Sequence, residues 1–128
     1  MGFRLEHGGN SLAFIPDHEP VLGVDLGDLE PDWVSGYAVA DGVDVLLHDS
    51  QYDEAEYADR VGWGHSSVAD AVGFAQKAGV GRLVLFHHDP DRSDAGVDRL
   101  VQHAAELWNG NGGTPPVAAC EGMTIELG

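Results

Sequence analysis

Three short apolar runs in this chain each stop at an acid or a histidine. Ser11–Ile15 leads into Pro16-Asp17, Val43–Leu47 into His48-Asp49, and Leu83–Phe86 into His87-His88-Asp89. Runs of four or five apolar residues bounded by turn signals read as buried strands. Polar groups at several strand ends are the pattern of an α/β sheet that carries its chemistry on the loops beyond one edge.

The remaining elements fit that frame. Phe3–Glu6 and Ser11–Ile15 flank Gly8-Gly9-Asn10, a β-hairpin signal. Residues 21–32 have little periodicity and read as a loop, and Trp33–Ala40 reads as a short helix. A short acidic helical turn follows His48-Asp49. Val68–Ala78 has helical spacing at Val68, Ala71, Val72 and Ala75, with Ser66 or Ser67 as cap and Gly79 as stop. Asp94 opens a second helix with Val97, Leu100, Val101, Ala104 and Leu107 on its core side. Asn109–Pro116 reads as a loop, and Val117–Ala119 and Met123–Leu127 as closing strands. The order is a hairpin, two βα units and a final β-pair, an α/β class with helices on a mostly buried sheet.

Charge narrows the function classes. Twenty-two acidic residues against six basic ones give a formal net charge of -16. Nucleic-acid affinity rests on Lys and Arg neutralising phosphates, so a long RNA is a poor partner and a small-molecule substrate a better one. No apolar run reaches the length of a membrane span. The start lacks a signal peptide's apolar core, and Cys120 is the single cysteine, so a cytoplasmic location is expected.

Asp17, His48-Asp49 and His87 suit a divalent metal, since imidazole and carboxylate serve zinc, manganese or iron. Each also has a plainer reading. Asp17 could end a strand and open a turn, which on spacing alone leads. His87 could be a hydrogen-bonded histidine at the core edge. His65, between Gly64 and Ser66, could be a loop residue beside a helix cap. His88 points opposite to His87 in an extended segment, toward solvent or a neighbouring loop. His7, His18 and His103 carry no pattern and are expected on the surface. Neither a Walker loop nor a Gly-x-Ser-x-Gly elbow is present.

The joint pattern favours the functional reading. The stretch GVDVLLHDSQYDEAEYADRVGWGHSSVADAVGFAQKAGVGRLVLFHHDPDRSD resembles the C-terminal half of metallo-β-lactamase-fold hydrolases. It is most similar to the branch holding ribonuclease Z and the cyclic-phosphate phosphodiesterases. FRLEHGGNSLAFIPDHEP resembles the preceding hairpin of that branch. The resemblance implies that Asp17 bridges two metal ions and that His87 is the last histidine ligand of the second. It further implies that His65 is a catalytic-loop histidine and Asp49 the acid paired with it. The ribonuclease Z branch usually has Glu in place of Asp49. Such a site acidifies a water between two divalent cations, zinc first and manganese or iron as alternatives, for attack on phosphorus or a carbonyl carbon. The His–acid pair protonates the leaving oxygen.

The family's main ligand motif, His-x-His-x-Asp-His, does not occur before Asp17, where only sixteen residues stand. Residues 1–128 are therefore expected to be a partial domain, the C-terminal half of an αβ/βα sandwich. Asp17 and His87 give two ligands where zinc takes three or four. Half a sandwich also leaves one apolar sheet face to be covered. A separate N-terminal half, a homodimer, or the missing part of a longer gene product would cover it, the last being favoured. The leading function is a metal-dependent hydrolase of a small phosphodiester or related ester. The competing ones are a non-catalytic binding or assembly module and a homodimeric metal-binding protein.

Overall fold

A computed structural model describes residues 1–108 and 113–127. Five strands form one sheet in the order β1-β2-β3-β4-β5: β1 Phe3–His7, β2 Asn10–Ile15, β3 Val45–Asp49, β4 Arg82–Phe86 and β5 Val117–Ala118. β1 and β2 are an antiparallel hairpin, and every later pairing is parallel. The hairpin closes on Gly8 and Gly9 alone, at φ 58° and 84°. Two consecutive positive φ values define the primed turn whose twist matches its strands, and glycine takes them without strain.

The helices lie where spacing and caps place them. α1 is Tyr37–Ala40, α2 Glu54–Ala58, α3 Val68–Lys77 and α4 Asp94–Leu107. Asp53 and Glu56 form a reciprocal capping box on α2. Ser67 caps α3 by accepting from the Asp70 N–H, and Ser93 caps α4 by accepting from the Gly96 N–H. Ala13 and Ile15 of β2, Leu46 of β3, and Leu83 and Leu85 of β4 pack with Val72, Phe74 and Ala75 of α3 and Leu100 and Ala104 of α4. Among the described residues no helix is long and apolar enough to cross a membrane.

Several expectations shift. β3 runs two residues later than the apolar run Val43–Leu47, so His48 and Asp49 lie inside it, paired with Leu85 and Phe86. The chain before it is still turning, since Gly42 is left-handed and the Val43 N–H bonds back to Ala40. Residues 21–32 are not all loop, because Leu26–Asp28 and Pro31–Trp33 form 3-10 turns. The expected helix from Trp33 shrinks to the single turn of α1, broken upstream by Gly36 at φ 76°. Leu107 stays 40% exposed at the end of α4 rather than joining the core. Met123–Leu127 forms no strand; the Arg82 side chain donates to the Glu126 carbonyl, but no ladder continues. Of the expected loop Asn109–Pro116, residues 109–112 lie outside the described residues.

The other sheet face carries Phe3, Leu5, Leu12, Phe14, Leu47 and Phe86 by register. Phe3 and Leu5 are 53% and 64% exposed. The apolar face expected from half a sandwich is therefore present and open on the hairpin side.

Candidate metal and proton-transfer site

The parallel register sets the site. β2, β3 and β4 end side by side, so Asp17, Asp49 and His87 gather beyond one edge of the sheet. His65 reaches the same edge from the loop before α3. Tyr52 and Ser67 form an isolated parallel bridge, and the Tyr52 N–H donates to the Ser66 carbonyl, fixing that loop against the end of β3. Asp17, Asp49, His65 and His87 each offer a ligand atom within 4.8 Å of the others. The four residues singled out from sequence thus converge.

They form two pairs. His87 Nε2 lies 3.1 Å from Asp17 Oδ1, and His65 Nδ1 lies 2.6 Å from Asp49 Oδ2. His87 follows β4 directly and takes φ 61°, rare for a residue with a Cβ. That conformation costs about 1–2 kcal/mol, and such local strain gathers at functional sites. It brings the imidazole to Asp17 rather than continuing the strand.

Asp49 is fully buried yet well supplied with donors. Oδ2 accepts from the His18 N–H and His65, and Oδ1 from the Ser66 and Gln51 N–H groups. Burial pushes its carboxyl pKa up, while the His65 and His18 bonds pull the other way. Because Asp49 accepts at His65 Nδ1, that nitrogen carries the proton and Nε2 is left as the ring's other polar atom.

The rings of His65 and His87 are stacked, 17° from parallel. Imidazole lone pairs lie in the ring plane, so the two rings as they stand aim past one another, while all four residues keep a ligand atom within reach of a shared centre. The four side chains form two contacting pairs, Asp17 with His87 and Asp49 with His65. Asp17 is 61% exposed in its side chain, and His87 Nδ1 is buried with no hydrogen-bond partner. The exposed Asp17 carboxylate and the His87 Nε2 facing it are both donor types that a divalent cation binds.

Beneath the site lies a buried histidine pair that sequence reading placed wrongly. His18, expected on the surface, is 8% exposed, and its ring packs edge-on to His48 and Phe74. The bend after β2 turns Asp17 outward and His18 under it. His48 Nδ1 faces the Asp49 carbonyl, which can only accept, so it bears the proton. His48 Nε2 then accepts from His18 Nδ1 at 2.7 Å, and His18 Nε2 is left without a partner. Burial holds both rings neutral, lowering His18 to about 4 and His48 to about 3. A Cβ on Gly36 would stand 2.9 Å from His18 Nε2, so glycine is needed there. His88 is half-buried, not solvent-facing, and burial lowers its pKa. His7 and His103 keep to the surface, the latter 2.9 Å from Glu54.

Two further residues, Arg60 and Glu19, had no sequence signal, and Ser66, a cap candidate, serves another purpose. Ser66 Oγ donates to the His18 carbonyl. The Arg60 guanidinium lies over Tyr52 and Trp63, at 5.3 and 5.6 Å, and forms no ion pair among the described residues. Glu19 accepts from Tyr57 and from the loop before His65.

Residues 1–88 match the profile of the beta-lactamase superfamily domain. This chain belongs to the metallo-β-lactamase-fold hydrolase superfamily. The metallo-β-lactamase-fold protein YhfI from Bacillus subtilis is similar in structure, with TM-score 0.64 and 17% identity over 91% of this chain and 39% of that one. The short form of human tRNase Z aligns with TM-score 0.61 and 21% identity over 99% of this chain and 38% of that one. Ribonuclease BN of Escherichia coli O1:K1 is 34% identical over 105 residues, 82% of this chain and 33% of the relative. This metallo-β-lactamase-fold chain thus spans about a third of the ribonuclease BN length.

Proposed function

We propose that this chain is the C-terminal part of a metal-dependent hydrolase acting on a small phosphodiester or related ester. The supporting observation is the convergence of Asp17–His87 and Asp49–His65 at one sheet edge. In this reading Asp17 and His87 hold a divalent ion, zinc by preference with manganese or iron as alternatives. Bound divalent ions supply an acidified water and offset charge on the phosphoryl oxygens. His65, held by Asp49, gives the proton on Nε2 to the leaving oxygen and is reset from solvent. The Arg60 guanidinium, which donates to the Glu56 carbonyl, makes no ion pair among the described residues and lies beside Tyr52 and Trp63, favours an anionic substrate.

The remaining ligands and the cover for the open sheet face come from an N-terminal segment or, failing that, from a second copy of the chain. A single cysteine suits a reducing cytoplasm. The likeness to ribonuclease BN and to tRNase Z favours a second reading, RNA as the diester. The net charge of -16 favours the small substrate.

The test is elemental analysis and turnover of bis(p-nitrophenyl) phosphate, for the chain alone and co-expressed with the N-terminal portion of a related ribonuclease BN. Metal and turnover that appear on complementation and vanish in His87→Ala support the reading. Complementation that restores a folded complex with neither metal nor turnover overturns it in favour of a non-catalytic assembly module. Cleavage of RNA with no small-diester turnover transfers the assignment to the second reading.

A further inference from the structure

We propose that Glu19 is the positioning residue for His65, acting through the glycine-flanked loop 62–64; this rests on the reading of His65 as the proton donor. Gly62 and Gly64 take φ 88° and 91°. Backbone N–H groups in such turns make concavities that hold an anion, and here the anion is the Glu19 carboxylate. The Gly62 N–H lies 2.7 Å from Oε1 and 3.1 Å from Oε2, and the Gly64 N–H 3.1 Å from Oε2. The Tyr57 hydroxyl adds a third donor, 2.9 Å from Oε1. Bonds to an ionised acceptor are about twice as strong as neutral ones.

His65 follows Gly64 directly, so this carboxylate fixes the chain on its N-terminal side. On the C-terminal side Ser66 is fixed by Asp49 and Tyr52. Asp49 belongs to a central strand and cannot follow a moving loop. The 2.6 Å contact between His65 and Asp49 thus depends on the loop staying where Glu19 holds it. Without Glu19 the loop keeps a Trp63 N–H bond to the Arg60 carbonyl and two glycines free to rotate. Asp17, His18 and Glu19 then have successive tasks: Asp17 meets His87, the His18 N–H supports Asp49, and Glu19 sets His65.

The experiment is NMR on the full chain, following the His65 Nδ1 proton and the Gly62 and Gly64 amides in wild type, Glu19→Ala and Glu19→Gln. In Glu19→Ala, solvent exchange of the His65 Nδ1 proton and both amides should accelerate at least about tenfold, the equivalent of one charge-assisted hydrogen bond. Amide shifts across β3, β4 and α3 should hold. Glu19→Gln keeps one acceptor oxygen and should recover part of the protection. Faster glycine exchange with the His65 proton changed less than about twofold overturns the proposal, because the loop would then be held without positioning the histidine. Shifts spread through the sheet in both variants overturn it in favour of a purely structural role. If Glu19→Ala does not fold, Glu19→Gln decides by the same His65 readout. Turnover of the complemented protein with His65→Ala is read separately: unchanged turnover sinks the proton-donor role and leaves the NMR result standing. Lost turnover beside an unmoved His65 proton in the Glu19 variants sinks Glu19 alone.

Discussion

His65 and His87 lie ring over ring, with centroids 4.7 Å apart. The two histidines come from a loop and from a strand end; His87 meets Asp17 through Nε2, and His65 meets Asp49 through Nδ1. Titration of the complemented protein with zinc, followed calorimetrically, should show weaker binding in His87→Ala and Asp17→Ala by at least about tenfold, as expected for lost direct ligands. His65→Ala should leave the stoichiometry unchanged. A lower metal-to-protein ratio in His65→Ala would mean that His65 ligates after all. His87→Gly should lose metal equally while gaining up to about 1 kcal/mol of stability from the relieved φ of 61°.

Asp49 supports four donors from within the fold. Removing one member of a buried, charged, hydrogen-bonded set costs about 3–5 kcal/mol. Urea unfolding of Asp49→Ala should show a loss of that order. Asp49→Asn should be milder in stability, because one carbonyl oxygen remains, but its amide turns a donor toward the His18 and His65 donors. On the proposed proton-donor reading, Asp49→Asn in the complemented protein should lower kcat by about 100-fold or more, the range of general acid catalysis.

The buried His18–His48 pair predicts acid lability with a definite sign. Both folded pKa values, about 4 and about 3, lie below the ordinary 6.5. The unfolded chain takes up these protons first, so stability is full above pH 6.5 and falls as pH drops toward 4. Asp49 acts oppositely: its folded pKa is raised above 3.8, so its contribution is lost as pH rises, and it cannot cause the acid loss. Unfolding free energy measured from pH 6 to 4 should fall with acid. In His48→Phe the slope should drop by about 1.4 kcal/mol per pH unit, one proton's worth. An unchanged slope would refute a neutral, buried His48.

The open face bearing Phe3 and Leu5 should make the isolated chain associate or bind apolar dyes. Phe3→Asp with Leu5→Asp should yield a monomer in analytical ultracentrifugation with low dye fluorescence. These side chains point away from the helical layer, so the fold should survive. A wild-type chain already monomeric and dye-silent would contradict an uncovered face.

Much of the architecture was legible because it is encoded locally. Gly8-Gly9 sets the hairpin, and Ser67 and Ser93 cap their helices. The runs ending at Ile15 and Phe86 become strands where their apolar residues stand. Asp17, Asp49, His65 and His87 could be singled out because the resemblance to the family implied them, and for the three at strand ends parallel register brings such ends together.

Sequence by itself determined the hairpin, the two βα units, their order and the chemical types at the sheet edge. Only the tertiary structure decided that His18 is buried on His48, that Glu19 grips a loop more than forty positions away, and that the His65 and His87 rings stack. The reason is range. Periodicity and caps report on neighbours within a turn or two, whereas side-chain direction in an irregular segment is set by distant partners. PDHEP has no period to read, so the aim of its three polar side chains comes from β3, β4 and the loop of His65 packing around it.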